Sequence, residues 1–462
     1  MAAKAQRTKE ELFENYTIPH AVLVLSVPTI LSSIVMVLYN LADTYFVGML
    51  NDPVQTAAVT LASPVLLAFN TITNLFGVGS SSMMSRAMGR KDNQTVLRSS
   101  TFGFWGALVC GVLFSLLCTL LRTPLLGLLG ASGETVDPTN AYLNWTVTLG
   151  AVPAILNVVM AYLIRSEGAA LHASIGTMSG CLLNMILDPI FILPWGFGMK
   201  AAGAALATFL SNCVALGYFL VYLRVRGERT CVNISLRQLR LDRSVLSGIF
   251  GVGVPASIQN ILNVTSSTVM NNLAAVYGAQ ALAAMGICTK INMIPLYVMM
   301  GLSQGIMPLI SYNYASGNIR RMKQAYFFTF RAGLIGLVST SIIFYFGADF
   351  LVGMFISNEQ TVAYGVHFLR GFCLGLPLLS MDFLAVGVFQ AIGMGSKALV
   401  FAISRKLVLE LPLLYLLNRI APLYGIPYAQ PITELILSIV ANTLLLRFLS
   451  KAQREAELCG EK

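Results

Sequence analysis

Long apolar runs, broken at short polar intervals, dominate the chain. Stretches of about 20 residues or more, the length that spans a bilayer core as a helix, fall near residues 21–48, 56–85, 98–121, 140–164, 170–194 and 201–224. Beyond a polar stretch from Arg224 to Arg243, a second set falls near 246–273, 281–311, 324–348, 363–390, 398–418 and 427–448. The pattern predicts an all-α polytopic membrane protein with twelve transmembrane helices. It divides the chain into an N-terminal arm (1–20), a first lobe (21–226), an inter-lobe linker (227–245), a second lobe (246–450) and a C-terminal tail (451–462).

The two halves resemble each other. Pro28 and Pro255 open them 227 residues apart, Gly79 and Gly305 stand 226 apart in matching second helices, and Gly168 and Gly393 stand 225 apart. A near-constant offset over this length predicts a duplicated six-helix lobe. With both termini on one side, the copies are expected to be related by a pseudo-two-fold axis along the membrane normal.

Composition strengthens this picture. Hydrophobic residues make up 56% of the chain and charged ones 11%, against about 25% charged in an ordinary soluble domain. So few charges cannot cover a water-facing surface. The net charge of +10 is sorted by loop. Arg86, Arg90, Lys91 and Arg98 follow the second segment, and Arg224, Arg226, Arg229, Arg237, Arg240 and Arg243 follow the sixth. Arg320, Arg321 and Lys323 follow the eighth, and Lys397, Arg405 and Lys406 the tenth. The alternate loops, Asn51-Asp52-Pro53, Gly133 to Asp137 and Ser357-Asn358-Glu359, are nearly free of Lys and Arg. The positive-inside rule then places the even-numbered loops and both termini in the cytosol, and the plasma (inner) membrane is the expected location. The surplus charge faces anionic membrane lipid and not nucleic acid. The arm, with Lys4, Arg7, Lys9, Glu10, Glu11 and Glu14, lacks the pattern of a cleaved signal peptide. Eight scattered cysteines contain no C-x-x-C pair, so neither a disulfide framework nor a metal knuckle is expected.

A few polar residues sit within the apolar runs. Asp43 ends the first segment, and an acid within a bilayer costs about 2.5–3.5 kcal/mol on insertion scales. In the fifth segment Asn184 and Asp188 are four apart, on one helix face, and Pro189 loosens a backbone carbonyl beside them. Carboxylate, amide and carbonyl oxygens are ligands of the kind Na⁺ uses. Thr208 in the sixth segment could add a hydroxyl and Asn157 in the fourth an amide. Each has a plainer role too: Asp188 near a helix end, the others as hydrogen-bonding glue between helices. Repeat offsets carry Asp43, Asn184 and Asp188 onto Met270, Leu409 and Leu413, so a cation site is expected in the first lobe alone. The second lobe has its own charges, Lys290, Asp382, Glu410 and Glu434. Lys290 is expected either to neutralise one of these acids or to read an anionic group. Arg405 and Glu410, five apart, are poorly spaced for an i,i+4 pair.

Asn40 to Gly48, Asn184-x-x-x-Asp188-Pro189, Gln390-Ala391-Ile392-Gly393 and Ser311 to Asn318 together resemble the multidrug and toxic compound extrusion (MATE) family, prokaryotic type, over essentially the whole chain. The resemblance implies two six-helix lobes forming a V around a central cavity. It also implies antiport, exporting organic, cationic compounds in exchange for H⁺ or Na⁺. On that resemblance Asp43, Asn184, Asp188 and Thr208 correspond to the cation or proton coupling site, with Na⁺ a possible ligand there. Pro28, Tyr39, Tyr142 and Asn157 correspond to cavity positions. No acid stands in the seventh helix, where one branch of the family places one.

The expected mechanism is alternating access, with Asp43 and Asp188 holding either coupling ion or substrate. No cofactor beyond the coupling ion is expected, and the working unit is expected to be a monomer. Methionine pairs such as Met83-Met84 and Met299-Met300 suit an adaptable cavity or simply core and lipid-facing positions. A flippase for a lipid-linked saccharide or another amphipathic solute is the alternative within the same architecture. A membrane-embedded enzyme is disfavoured: His20, His172 and His367 stand far apart, and no nucleophile motif or metal spacing accompanies them.

Overall fold

The computed structural model describes residues 11–356 and 358–460. Most of the N-terminal arm's charges (Lys4, Arg7, Lys9 and Glu10) and Ser357 of the tenth-helix loop lie outside the described residues. Among those described there are helices and no strands. Twelve long helical runs follow in order, with short helices at Arg122–Leu128 and Ala348–Gly353 between them: α1 (Ile18–Gly48), α2 (Pro53–Gly89), α3 (Asn93–Leu120), α4 (Gly133–Leu149 with Ala151–Ser166), α5 (Ala170–Ile192), α6 (Lys200–Arg226), α7 (Arg243–Ala275), α8 (Ala279–Ala315), α9 (Ile319–Phe346), α10 (Glu359–Cys373 with Leu376–Ala391), α11 (Gly395–Ile403 through Leu411–Ile420) and α12 (Ile426–Arg454). Nine are individually long and apolar enough to cross a membrane, and α4 and α10 qualify as bent pairs. In α11 a π-helical stretch, Ser404–Glu410, carries Arg405, Lys406 and Glu410. Such stretches concentrate at functional positions, and its three charges set α11 apart from the helices that qualify as spans.

The repeat extends to details of backbone shape. Both α4 and α10 bend by 49°, the first at Gly150 with Pro153 following, the second at Gly375 with Pro377 following. Glycine lets the chain turn sharply there, and the proline withholds the backbone donor that would straighten the helix. Helix starts match as well. Asp92 Oδ1 accepts from the Thr95 backbone N–H at 3.1 Å to cap α3, and 226 residues later Asn318 Oδ1 accepts from the Arg321 N–H at 3.1 Å to cap α9.

The chain forms two compact units. One comprises residues 31–257 with the described residues before Tyr16; the other comprises Tyr16–Ile30 and Ile258 onward. The opening half of α1 therefore packs with the second repeat, and the opening half of α7 with the first. A pair of repeat-related glycines makes room for this exchange. A Cβ on Gly79 of α2 would lie 2.4 Å from the Ile249 carbonyl oxygen of α7. A Cβ on Gly305 of α8 would lie 2.7 Å from the Ser26 Cα of α1. Each glycine thus receives the backbone of the other repeat's first helix. Gly79→Ala and Gly305→Ala are expected to lower thermal stability by about 1–3 kcal/mol, the usual cost of overpacking. Gly336→Ala on α9, whose Cβ would meet nothing within 4 Å, is expected to be neutral or better. Unfolding midpoints of the three variants in detergent check this; equal midpoints would show that the exchange tolerates a side chain.

Within the first unit the segment after α6 is tied down. Glu167, fully buried between α4 and α5, accepts from Tyr222 Oη (2.9 Å), Thr230 Oγ1 (2.9 Å) and the Cys231 backbone N–H (2.6 Å). Trp105 Nε1 of α3 donates to the Ile234 carbonyl at 2.9 Å, and Arg98 pairs with Asp242 at 3.1 Å.

Candidate functional site

The site is built on the α5–α6 pair. Their backbones approach closely because α5 presents Gly180, where a Cβ would stand 3.2 Å from the Ser211 carbonyl oxygen and 3.1 Å from Ala215 Cβ. One turn further on, that proximity puts Asn184 against Thr208. With its nitrogen turned toward Thr208, the Asn184 amide would set a donor against the Thr208 backbone N–H. In the other orientation the nitrogen donates to Asp188 Oδ2 at 2.8 Å, and the oxygen accepts from Thr208 Oγ1 (3.2 Å) and the Thr208 backbone N–H (3.0 Å). The second suits an ionised Asp188, whose oxygens are acceptors only. Asn184 is 2% exposed and Asp188 wholly buried.

Asp43 approaches from α1, half-buried, and its carboxylate is close enough to repel that of Asp188. Tyr39, one turn before Asp43, reaches Thr208 with its hydroxyl and feels the charge of Asp43. The buried Tyr142 of α4 faces Asp43, Tyr39 and Asp188. Asp43, Tyr39, Tyr142, Asn184, Asp188 and Thr208 thus come together in the first unit. Among the described residues, no ion pair reaches either acid. Two carboxylates, an amide oxygen and a hydroxyl make an all-oxygen set with no fixed counter-cation, which suits a hard monovalent cation or a proton.

Other expected residues make different contacts. Asn157 donates to Asn212 Oδ1 at 2.8 Å and to the Pro153 and Ala154 carbonyls (3.0 and 3.2 Å). Its partner Asn212 escaped the sequence reading, although it stands four residues beyond Thr208 on the same face of α6. Pro28 belongs to the second unit. Of the methionine pairs, Met83, Met84 and Met299 are buried core residues, and only Met300 is exposed.

The charges of the second unit follow a different plan from the one expected. Arg405, counted in the sequence with the cations that follow the tenth segment but also within the eleventh, lies inside α11 with its side chain 7% exposed. It pairs with Asp382 at 3.0 Å and with Glu434, and its guanidinium lies 5.4 Å from the Phe383 ring centre. Lys406 pairs with Glu410 at 2.6 Å, and Glu410 also accepts from Ser266. The expectation that Lys290 neutralises one of these acids is corrected: Lys290, half-buried on α8, makes no ion pair among the described residues. Linear spacing hid the partnership because Asp382, Arg405 and Glu434 come from three different helices. Here Asp382, Glu410 and Glu434 have cations beside them, whereas among the described residues Asp43 and Asp188 of the first unit have none.

A duplicated six-helix architecture with an acidic, amide-lined pocket in one copy defines the class: a multi-pass membrane transporter. Within that class the chain belongs to the MatE family, whose model matches twice, over residues 28–190 and 255–416. The two matches start 227 residues apart, the offset of the internal repeat. The chain is 33% identical to the multidrug export protein MepA of Staphylococcus saprophyticus and 32% identical to that of Staphylococcus aureus, each over 433 residues covering 94% of both chains. It superposes on a crystal structure of a MATE protein in complex with MaL6 with a TM-score of 0.91 at 26% identity, covering 96% of this chain and 99% of that one. An outward-facing multidrug resistance MATE transporter of the MOP superfamily also matches with a TM-score of 0.91 at 26% identity, covering 96% and 98%.

Proposed function

We propose that this chain is a secondary active multidrug exporter. It exchanges organic cations for H⁺ or Na⁺ across the plasma membrane, as a monomer with both termini in the cytosol. The observation that carries the reading is the uncompensated pair Asp43 and Asp188, set among Asn184, Thr208, Tyr39 and Tyr142. Buried charges in a low-dielectric setting require a partner. Here the partner is mobile: coupling ion or substrate, not both. Taking up the ion removes the negative charge that holds an organic cation and releases it, and the empty acids then favour the next substrate. Export in the multidrug-exporting relatives named above agrees with this role, as do the loop cations that set the orientation.

Asn184 serves the ionised state of Asp188 in this scheme: its nitrogen donates to the carboxylate and its oxygen accepts from the Thr208 hydroxyl and backbone N–H.

Ethidium transport in everted vesicles, with pH and Na⁺ gradients imposed separately, tests the reading. Movement driven by at least one gradient is expected, and the responding gradient identifies the coupling ion. Transport indifferent to both gradients would sink the antiport reading.

A further inference from the structure

A second feature lies away from the acidic pocket, within the second unit. The opening turns of α1 and one face of α9 enclose an open cleft of about 550 Å³. The α9 wall reads Arg320, Lys323, Phe327, Phe328 and Arg331, a single stripe at helical i, i+3, i+4 spacing; Ile18 stands opposite. Among the described residues, no acidic side chain lines the cleft. Lys323 Nζ donates to Gln453 at 2.6 Å, whereas Arg320 and Arg331 are exposed and make no ion pair among the described residues. Arg321 Nη2 donates to the Tyr16 carbonyl at 2.6 Å and ties the two walls together at the mouth.

We propose that this cleft binds the headgroup of an anionic phospholipid. Three cations without a carboxylate call for an anion, and the arrangement favours a lipid over a free one. Arg331 lies three turns beyond Arg320, about 16 Å along the axis, inside a helix apolar enough to span the membrane. An arginine there is costly unless it finds an anion or snorkels to the interface. Phe327, Phe328 and Ile18 supply apolar wall between the cations, which acyl chains can cover and inorganic phosphate cannot. A phosphodiester held by Arg320 and Lys323, with Arg331 closing from below, satisfies charge and apolar surface together. Because the walls come from both repeats' helices, a bound lipid would bridge the α1 opening half to α9.

The test uses the full-length purified protein in detergent, titrated with dioctanoyl phosphatidylglycerol, dioctanoyl phosphatidylcholine or inorganic phosphate and read by calorimetry. Selective binding of the phosphatidylglycerol is expected. Arg320→Ala with Arg331→Ala is expected to weaken it about thirtyfold, two cations at about 1 kcal/mol each, while Arg331→Lys retains most of the affinity. Phe327→Ser, which keeps every charge, is expected to weaken the lipid and leave any phosphate signal unchanged. Equal affinity for phosphatidylcholine, unchanged affinity in the double variant, or phosphate binding as tightly as the lipid would each overturn the proposal.

Discussion

Asp188→Asn is expected to reduce gradient-driven ethidium transport to the level of empty vesicles while leaving the protein folded. Asparagine has nearly the same shape and keeps a hydrogen bond to Asn184, but it cannot exchange charge with a cation or proton. Asp43→Asn is expected to do the same, since on the proposed mechanism the two acids hold one ion between them. The binding step can be read without transport. Where Na⁺ is the coupling ion, saturating it at about 100 times its Kd should raise stability by about 2.7 kcal/mol through mass action, and that increment should vanish in Asp188→Asn. Asn212→Ala, which breaks only the Asn157 pair, is expected to keep gradient dependence. Intact antiport in Asp188→Asn would remove the acidic pocket from the mechanism.

The second large effect belongs to Arg405. Its replacement by alanine leaves Asp382 and Glu434 buried without their cation, and removing one partner of a buried pair typically costs about 3–5 kcal/mol. The expected outcome is a large drop in unfolding midpoint and poor recovery of monodisperse protein. Lys290→Ala, which breaks no ion pair among the described residues, is expected to change stability by less than about 1 kcal/mol. A triple variant, Arg405→Ala with Asp382→Asn and Glu434→Gln, should recover much of the loss, because the penalty is the orphaned charge more than the missing contact. A stable Arg405→Ala single variant would mean that the acids are neutral or hydrated without it.

The contrast between these two clusters explains the asymmetry of the repeat. Both lobes keep the same bends at Gly150 and Gly375, the same caps at Asp92 and Asn318, and the same receiving glycines at Gly79 and Gly305. Only the second has installed a guanidinium among its acids. On the proposed function, the paired Asp382, Glu410 and Glu434 serve as scaffold, and Asp43 and Asp188, which make no ion pair among the described residues, bind and release the cation.

Local chemistry read along the chain sufficed for the twelve helices, the repeat offset and the Asn184–Asp188 face. Each depends on hydropathy or on spacing within one helix, and the bilayer forces backbone hydrogen bonds to close within that helix. Asp43 was legible for a related reason: a lone acid in an apolar run has no local explanation. Tertiary structure alone decided which charges are answered. Arg405 has only the poorly spaced Glu410 to weigh against until α10, α11 and α12 bring Asp382 and Glu434 to it, and Lys290, one candidate partner of these acids, makes no ion pair among the described residues. The same is true of the exchanged halves of α1 and α7, since a glycine's neighbour across a helix interface leaves no mark on its own sequence. Coulombic and packing partners are chosen by proximity in space, and in a bundle of long helices that proximity is set by which faces meet.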